Sequence, residues 1–171
     1  MIFNTRLVSQ NEPFRAMTNL DTILALNNAH AVETGPLERG ELDRMLKRAF
    51  HFAIEGDGND GLLISFDQDA DYASPNFLWF KARYPRFVYV DRIIVAAHAR
   101  GRGLARVFYQ ELFDRALAAG RERVVCEVNL DPPNPGSLAF HNALGFVAVG
   151  EAILENRKTV RYLERVLNAH P

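Results

Sequence analysis

The chain has 171 residues, 48% of them hydrophobic, which is enough for one domain with a sizeable core and too few for two comfortable ones. Its 20 Lys and Arg against 21 Asp and Glu leave a formal charge of −1, so no global field gathers nucleic acid, and any phosphate site has to be local. The single cysteine, Cys126, lies in the apolar run RVVCEV, can form no internal disulfide, and reads as a buried core residue of a reducing compartment.

MIFNTRLVSQNEPF has neither a basic leader followed by an apolar stretch nor a small-residue cleavage site, so it does not read as a signal peptide. No run approaches the ~18 apolar residues of a membrane-spanning helix. A cytoplasmic protein without membrane or nucleic-acid partners is the expectation. Neither a repeat nor a shift in composition marks a boundary, which predicts a single domain over residues 1–171.

FRAMT (Phe14–Thr18) is strand-like, and Asn19 or Asp21 can cap a following helix through DTILALNNAHAVE, with Ile23, Leu26 and His30 near one side. Past Gly35 and Pro36, Leu42, Met45, Leu46 and Ala49 recur at the spacing of an amphipathic helix. HFAIEG and LLISFD, separated by the turn signal GDGNDG, predict a β-hairpin. Residues 69–86, with Pro75, Pro85 and five aromatics, read as a long loop and a candidate lid. FVYVDRIIV is nearly unbroken apolar sequence, as in a strand buried on both faces. Leu104, Val107, Phe108, Leu112 and Ala116 then outline a helix that stops at Gly120. RVVCEVN predicts a strand, Asn134-Pro135 the start of a short helix ending near Gly145, and FVAVGEAIL and TVRYLERVL two closing strands. In the last, Val160, Tyr162, Glu164 and Val166 share one face.

The junction IIVAAHARGRGLARVF carries the strongest chemical signal. A strand passes through a basic, glycine-containing turn into a helix, a geometry suited to a pyrophosphate. Gly101 and Gly103 let backbone N–H groups approach phosphate oxygens, the helix N-terminus adds roughly half a positive charge, and Arg100, Arg102 and Arg106 add donors, with His98 nearby. The dinucleotide pattern GxGxxG fails at Arg106, and GxxxxGK[ST] is absent, so a nicotinamide oxidoreductase is disfavoured.

Arg100, Gly103 and Ala105 instead fit [QR]xxGx[GA], and the segment resembles the acetyl-CoA motif of GNAT acetyltransferases. A second segment, NPGSLAFHNALGF, resembles that family's NxxAxxFYxxxGF, with Asn134, Phe140, Gly145 and Phe146 at matching offsets and Ser137 at the small-residue position. The likeness covers about residues 14–167 and leaves 1–13 as an extension. It implies an α+β fold in αβα layers: a mixed, mostly antiparallel central sheet with a splayed pair of parallel strands, flanked by helices.

The resemblance further implies acetyl-CoA as acyl donor, no metal, and transfer of the acetyl group to an amine in a ternary complex. Ile93, Ile94 and Val95 would pair with pantetheine amides, Arg100 to Arg106 (with Gly101, Arg102, Gly103, Leu104 and Ala105) would hold the pyrophosphate, and Asn129, Asn134, Ser137, Phe140 and His141 would complete the cofactor site. Attack by an amine needs a base, and the departing thiolate an acid. The family's usual tyrosine acid is replaced by His141, which leaves it either a proton donor or a cofactor contact. Asp91 and Glu127 are the candidate bases by strand parity. His30 and Glu33 lie where the acceptor site is expected, and Trp79 and Phe80 are candidate lid residues over it. The alternative is a silent CoA-binding or sensor domain of the same fold, and either a monomer or a homodimer fits.

Overall fold

The computed structural model describes residues 19–167. The strand expected at Phe14–Thr18 and the extension at 1–13 lie outside the described residues. In chain order the helices and strands are α1 (Leu20–Ala29), α2 (Ala31–Thr34), α3 (Arg39–Arg48), β1 (His51–Glu55), β2 (Gly61–Asp67), α4 (Pro75–Lys81), β3 (Val88–Val95), α5 (Leu104–Ala118), β4 (Arg123–Asp131), α6 (Pro135–Ala143), β5 (Val147–Ile153) and β6 (Thr159–Val166). The strands make a mixed sheet in the order β1-β2-β3-β4-β6-β5, with β3 and β4 parallel and the pairs β1/β2, β4/β6 and β5/β6 antiparallel. With its flanking helices, this is the expected fold class. Among the described residues no helix is long and apolar enough to cross a membrane.

The chain divides into two compact units. One holds the described residues up to Phe66 together with Asp91–Leu112; the other holds Asp67–Val90 and the described residues from Phe113 onward.

In the first unit the Asn19 side chain caps α1, accepting from the N–H groups of Asp21 and Thr22 at 3.1 and 3.3 Å. The single helix expected through Glu33 breaks at His30. The cause is Asn27, which is fully buried and turns its amide onto the returning chain, donating to the Gly35 carbonyl at 3.0 Å. Its neighbour Asn28 clamps Leu37 through two bonds, of 2.9 and 3.0 Å. Helix α3 buries Leu42, Met45 and Leu46, as its periodicity predicts. The hairpin β1/β2 forms in register from His51 opposite Ser65 to Glu55 opposite Gly61. Gly61 is a close-approach position: a methyl group there would lie 2.9 Å from Leu104 Cδ2 and 3.1 Å from the Ile94 carbonyl.

In the second unit the segment 69–86 is not the open loop its composition suggests. Pro75 starts the seven-residue helix α4, a position where its missing N–H costs nothing, and Phe77 and Phe80 are fully buried. Strand β3 is buried on both faces only over Val88–Val90 and alternates from Asp91 onward. In β6 the centre is buried on both faces, Leu163 as well as Tyr162, whereas Val166 is exposed. Helix α5 ends in a Schellman motif, with Arg121 N–H on the Ala116 carbonyl at 2.8 Å, Gly120 N–H on Leu117 at 2.9 Å, and Gly120 at φ 68°. Its buried stripe includes Tyr109 and Phe113 and omits Val107.

Helix α4 lies close against β5 at Gly150. A methyl on Gly150 would lie 2.7 Å from Trp79 Cζ2, so β5 admits no side chain there without displacing the indole. Gly150→Ala should therefore destabilise the protein by about 1–3 kcal/mol. Thermal or denaturant unfolding of the single and double variants checks this: adding Trp79→Phe should recover part of the loss, and purely additive effects would mean that the two positions do not compete for space.

Candidate active site

The turn between β3 and α5 has the form expected of a phosphate cradle. A short 3-10 turn over Ala97–Ala99 leads into Gly101 and Gly103, at φ 75° and 79°, and then into the first turn of α5. No protein atom lies within 4 Å of where a Cβ would stand on either glycine. Left-handed backbone and open space together leave room for a ligand at the N–H groups of a helix start, whose first turn has no intrahelical acceptors. The arginines are not equally disposed. Arg100 is exposed and bends back to donate Nε to the Val95 carbonyl at 3.3 Å, and Arg106 is exposed. Arg102 donates to Asp60 Oδ2 at 3.0 Å, while His98 Nε2 lies 2.8 Å from Asp60 Oδ1. These two hydrogen bonds, that from His98 above all, hold the Asp60 carboxyl below its ordinary value against the opposing effect of burial. Glu55, by contrast, is pushed up by burial and by the nearby Asp60 charge. Ile93 and Val95 share the more open face of β3, and the Ile94 side chain is buried, so any ligand contact of Ile94 is through its backbone.

The two candidate bases differ sharply. Asp91 Oδ2 accepts from Arg92 Nε at 2.7 Å, both side chains being nearly buried, and Arg92 Nη1 donates to Asn27 Oδ1 at 2.6 Å. This links β3 to α1 inside the first unit and makes Asp91 part of a structural clamp. In the second unit Glu127 Oε1 accepts from Asn76 Nδ2 at 2.9 Å and from the Tyr89 hydroxyl at 3.0 Å. Tyr162 in turn donates its hydroxyl to Asn76 Oδ1 at 3.0 Å.

The second motif serves its own helix. The Asn134 side chain caps α6 by accepting from Ser137 N–H at 3.2 Å, and its N–H donates to the Asn129 carbonyl at 3.1 Å. His141 is 2% exposed, edge-on to Phe140 and Phe146, with Nδ1 2.7 Å from the Ser137 carbonyl. A carbonyl only accepts, so Nδ1 carries the ring proton and donates it to that oxygen. Burial pushes the imidazole below its ordinary value, partly offset by the same hydrogen bond. A neutral ring whose proton is bound within its own helix is a poor match for an acid.

The Acetyltransferase (GNAT) family model matches residues 42–146, more than half of the chain and inclusive of both motifs. The chain belongs to the GNAT family. Solved GNAT structures share its fold at low identity. One is an acetyltransferase of the family from Streptococcus pneumoniae, with TM-score 0.65, 16% identity, and coverage of 95% of this chain and 98% of that one. Another is spermidine N-acetyltransferase from Vibrio cholerae with CoA and spermine, with TM-score 0.64, 17% identity, and coverage of 96% and 95%. A chain of the NatC complex bound to Gag peptide and CoA gives TM-score 0.69 at 17% identity, covering 98% and 100%. No curated protein sequence matches.

Within this GNAT domain the residues expected at the acceptor divide. His30 is half-buried at the break between α1 and α2, and Glu33 is exposed on α2. Trp79 and Phe80 do not form a lid. Phe80 is fully buried against Tyr162 and Phe87, and Trp79 lies between the Tyr162 ring, 4.1 Å away, and the Arg83 guanidinium, 3.7 Å away. Their apolar faces are consumed by packing because α4 is a helix with one side in the core. Sequence reasoning missed Asn76, Tyr89, Tyr162, Asp60 and Asn27. Only Tyr89 carried a signal, its parity with Asp91 on β3; the others required the strand register or the loop geometry.

The His141 environment has a consequence for stability. Its folded pKa is depressed from 6.5, so both states are neutral above that value and stability is full there. As pH falls below it, the unfolded chain binds the proton first, and stability declines until the folded ring also titrates. His141→Gln, which keeps a donor for the Ser137 carbonyl, should flatten this part of the profile. Urea unfolding between pH 7.5 and 5 measures it, and an unchanged slope would assign the loss to other groups.

Proposed function

We propose that this protein transfers an acetyl group from acetyl-CoA to a primary amine of a small molecule or an exposed protein amine, by direct attack in a ternary complex. The observation that carries the reading is the turn at Gly101 and Gly103: two left-handed glycines with open space above them, at the start of α5, in a segment that resembles the family's acetyl-CoA motif and lies inside the matched family region. The pyrophosphate is assigned to the N–H groups of this turn with Arg100, Arg102 and Arg106, and the pantetheine amides to the backbone of Ile93, Ile94 and Val95. The donor supplies a thioester, whose acyl carbon accepts a nitrogen lone pair as the carbon–sulfur bond breaks. Neighbouring folds solved with CoA, one with spermine and one with a peptide, are compatible with an amine acceptor.

An ammonium group has no lone pair, so the chain must first remove a proton. Glu127 takes that role in this reading. Its carboxylate is held by Asn76 and Tyr89, whereas that of Asp91 is bound to Arg92. His141 is retained as a structural residue of α6, and the thiolate takes its proton from water. The second reading, a CoA-binding domain without turnover, is favoured by one observation: the ring proton of His141 is bound to the Ser137 carbonyl.

Two measurements separate these possibilities. Gly103→Val should weaken CoA binding at least about tenfold in calorimetry, since a β-branched side chain is strained at φ 79° and fills the open space. Wild-type affinity would remove the phosphates from this turn. In an assay of free thiol release across a panel of primary amines, the wild type should turn over and Glu127→Gln should lose about 10²–10⁴-fold in kcat/KM. CoA binding without thiol release from any amine would establish the silent reading, and undiminished turnover in Glu127→Gln would remove it as base.

A further inference from the structure

We propose that Asn76, held in place by Tyr162, is a positioning residue that fixes the Glu127 carboxylate together with Tyr89, so that the helix α4 serves the base instead of covering the acceptor. The inference rests on the reading of Glu127 as the base.

Four side chains from four elements meet here within the second unit: Asn76 from α4, Tyr89 from β3, Glu127 from β4 and Tyr162 from β6. Glu127 and Tyr162 are cross-strand partners in the β4/β6 ladder, so register alone brings them side by side. They are nevertheless bridged by an amide. An amide is directional: Nδ2 only donates and Oδ1 only accepts. With Nδ2 on Glu127 Oε1, Oδ1 must receive the Tyr162 hydroxyl proton, and a flipped amide would set oxygen against carboxylate. The acceptor-only carboxylate thus decides which way Asn76 faces, and the Tyr162 hydroxyl, donating to Oδ1, holds the amide in that place.

The parts of this arrangement have little freedom. Tyr162 and Tyr89 are each 1% exposed and Asn76 9%. The Tyr162 ring stacks on Trp79 and meets Phe80 edge-on, and Arg83 covers the far side of Trp79 while donating to the Trp79 carbonyl at 2.8 Å. Burial, with the Glu127 charge adding to it and Arg83 opposing it, pushes the Tyr162 phenol up, so the hydroxyl keeps its proton for Asn76. Arg123 pairs with Glu164 at 2.8 Å and lies over the Tyr84 ring at 4.1 Å, and His141 on α6 is neutral by burial. Two donors on Oε1, the Asn76 amide and the Tyr89 hydroxyl, fix the plane of the carboxylate.

The test uses near-isosteric variants of the full chain and a readout that packing alone does not move. The Glu127 carboxyl is followed by 13C NMR of glutamate-labelled protein over pH, its resonance assigned by its loss in Glu127→Gln. Asn76→Asp replaces a donor by a second carboxyl, and the pair's upper titration midpoint should rise by about one unit or more. Tyr162→Phe keeps the stack on Trp79, removes only the hydroxyl, and should raise the midpoint by a smaller amount; it also serves where Asn76→Asp fails to fold. The acid limb of kcat/KM should move upward in the same order, with activity recovering at high pH. Midpoints equal to wild type in both variants, or in Tyr162→Phe alone if Asn76→Asp is unfolded, would overturn the positioning role even where Glu127→Gln is inactive. Full activity of Glu127→Gln, by contrast, would overturn the base assignment on which the inference rests.

Discussion

A carboxylate inside a sheet calls for donors, and much of the second unit follows from bringing two of them to one oxygen of Glu127, Oε1. The donors come from a tyrosine on β3 and from an amide on α4. The amide needs its own partner, supplied by Tyr162 on β6. Each demand fixes another element. Holding Asn76 in place requires a helix at Pro75–Lys81, and that helix is anchored by Phe77 and Phe80 in the core and by Trp79 pressed onto Gly150. An uncompensated polar group in such a network costs about 1–3 kcal/mol, which is a large fraction of an ordinary domain's stability. The network therefore specifies a geometry as well as stabilising one.

The first unit answers a complementary problem, leaving donors at a helix start without burying the charges beside them. Its turn leaves backbone N–H groups at a helix start and keeps the arginines at the surface. Arg102 and His98 are restrained by Asp60, which sits on the loop preceding β2, and the Asp60 carbonyl also accepts from Ala96 N–H at 2.9 Å. One loop thus braces both the side chains and the backbone of the turn. Gly61, the next residue, lets β2 approach Leu104 at the start of α5. The hairpin turn GDGNDG was legible as a reversal from its glycines, but its second use as a brace depends on a contact with residues some forty positions away, which local sequence cannot encode.

The same division runs through the rest of the chain. Periodicity located α3, α5 and the strands, and residue chemistry located the caps at Asn19 and Asn134 and the stop at Gly120, because these signals are local. The break at His30 depends on Asn27 reaching Gly35 and Arg92, and α4 is short, aromatic and stabilised by what lies under it. Tertiary contacts override local preference at such places. Glu127 was legible as an inward-facing carboxylate from strand parity. Its advantage over Asp91 was not, since it depends on which carboxylate an arginine holds.

The two motifs that identify the family also carry unequal chemical weight. The first leaves groups available: glycines with open space above them and a helix start. The second is largely occupied with itself, Asn134 capping Ser137, His141 donating to the carbonyl one turn back, and Phe146 packed on Phe113 and on the His141 ring. A histidine that replaces the family's tyrosine at this position can be accommodated because its ring satisfies its own donor locally and buries its remaining surface on phenylalanine. On the proposed reading, proton handling falls to groups outside both motifs, and the Glu127 carboxylate is one whose donors and register come from α4, β3 and β6.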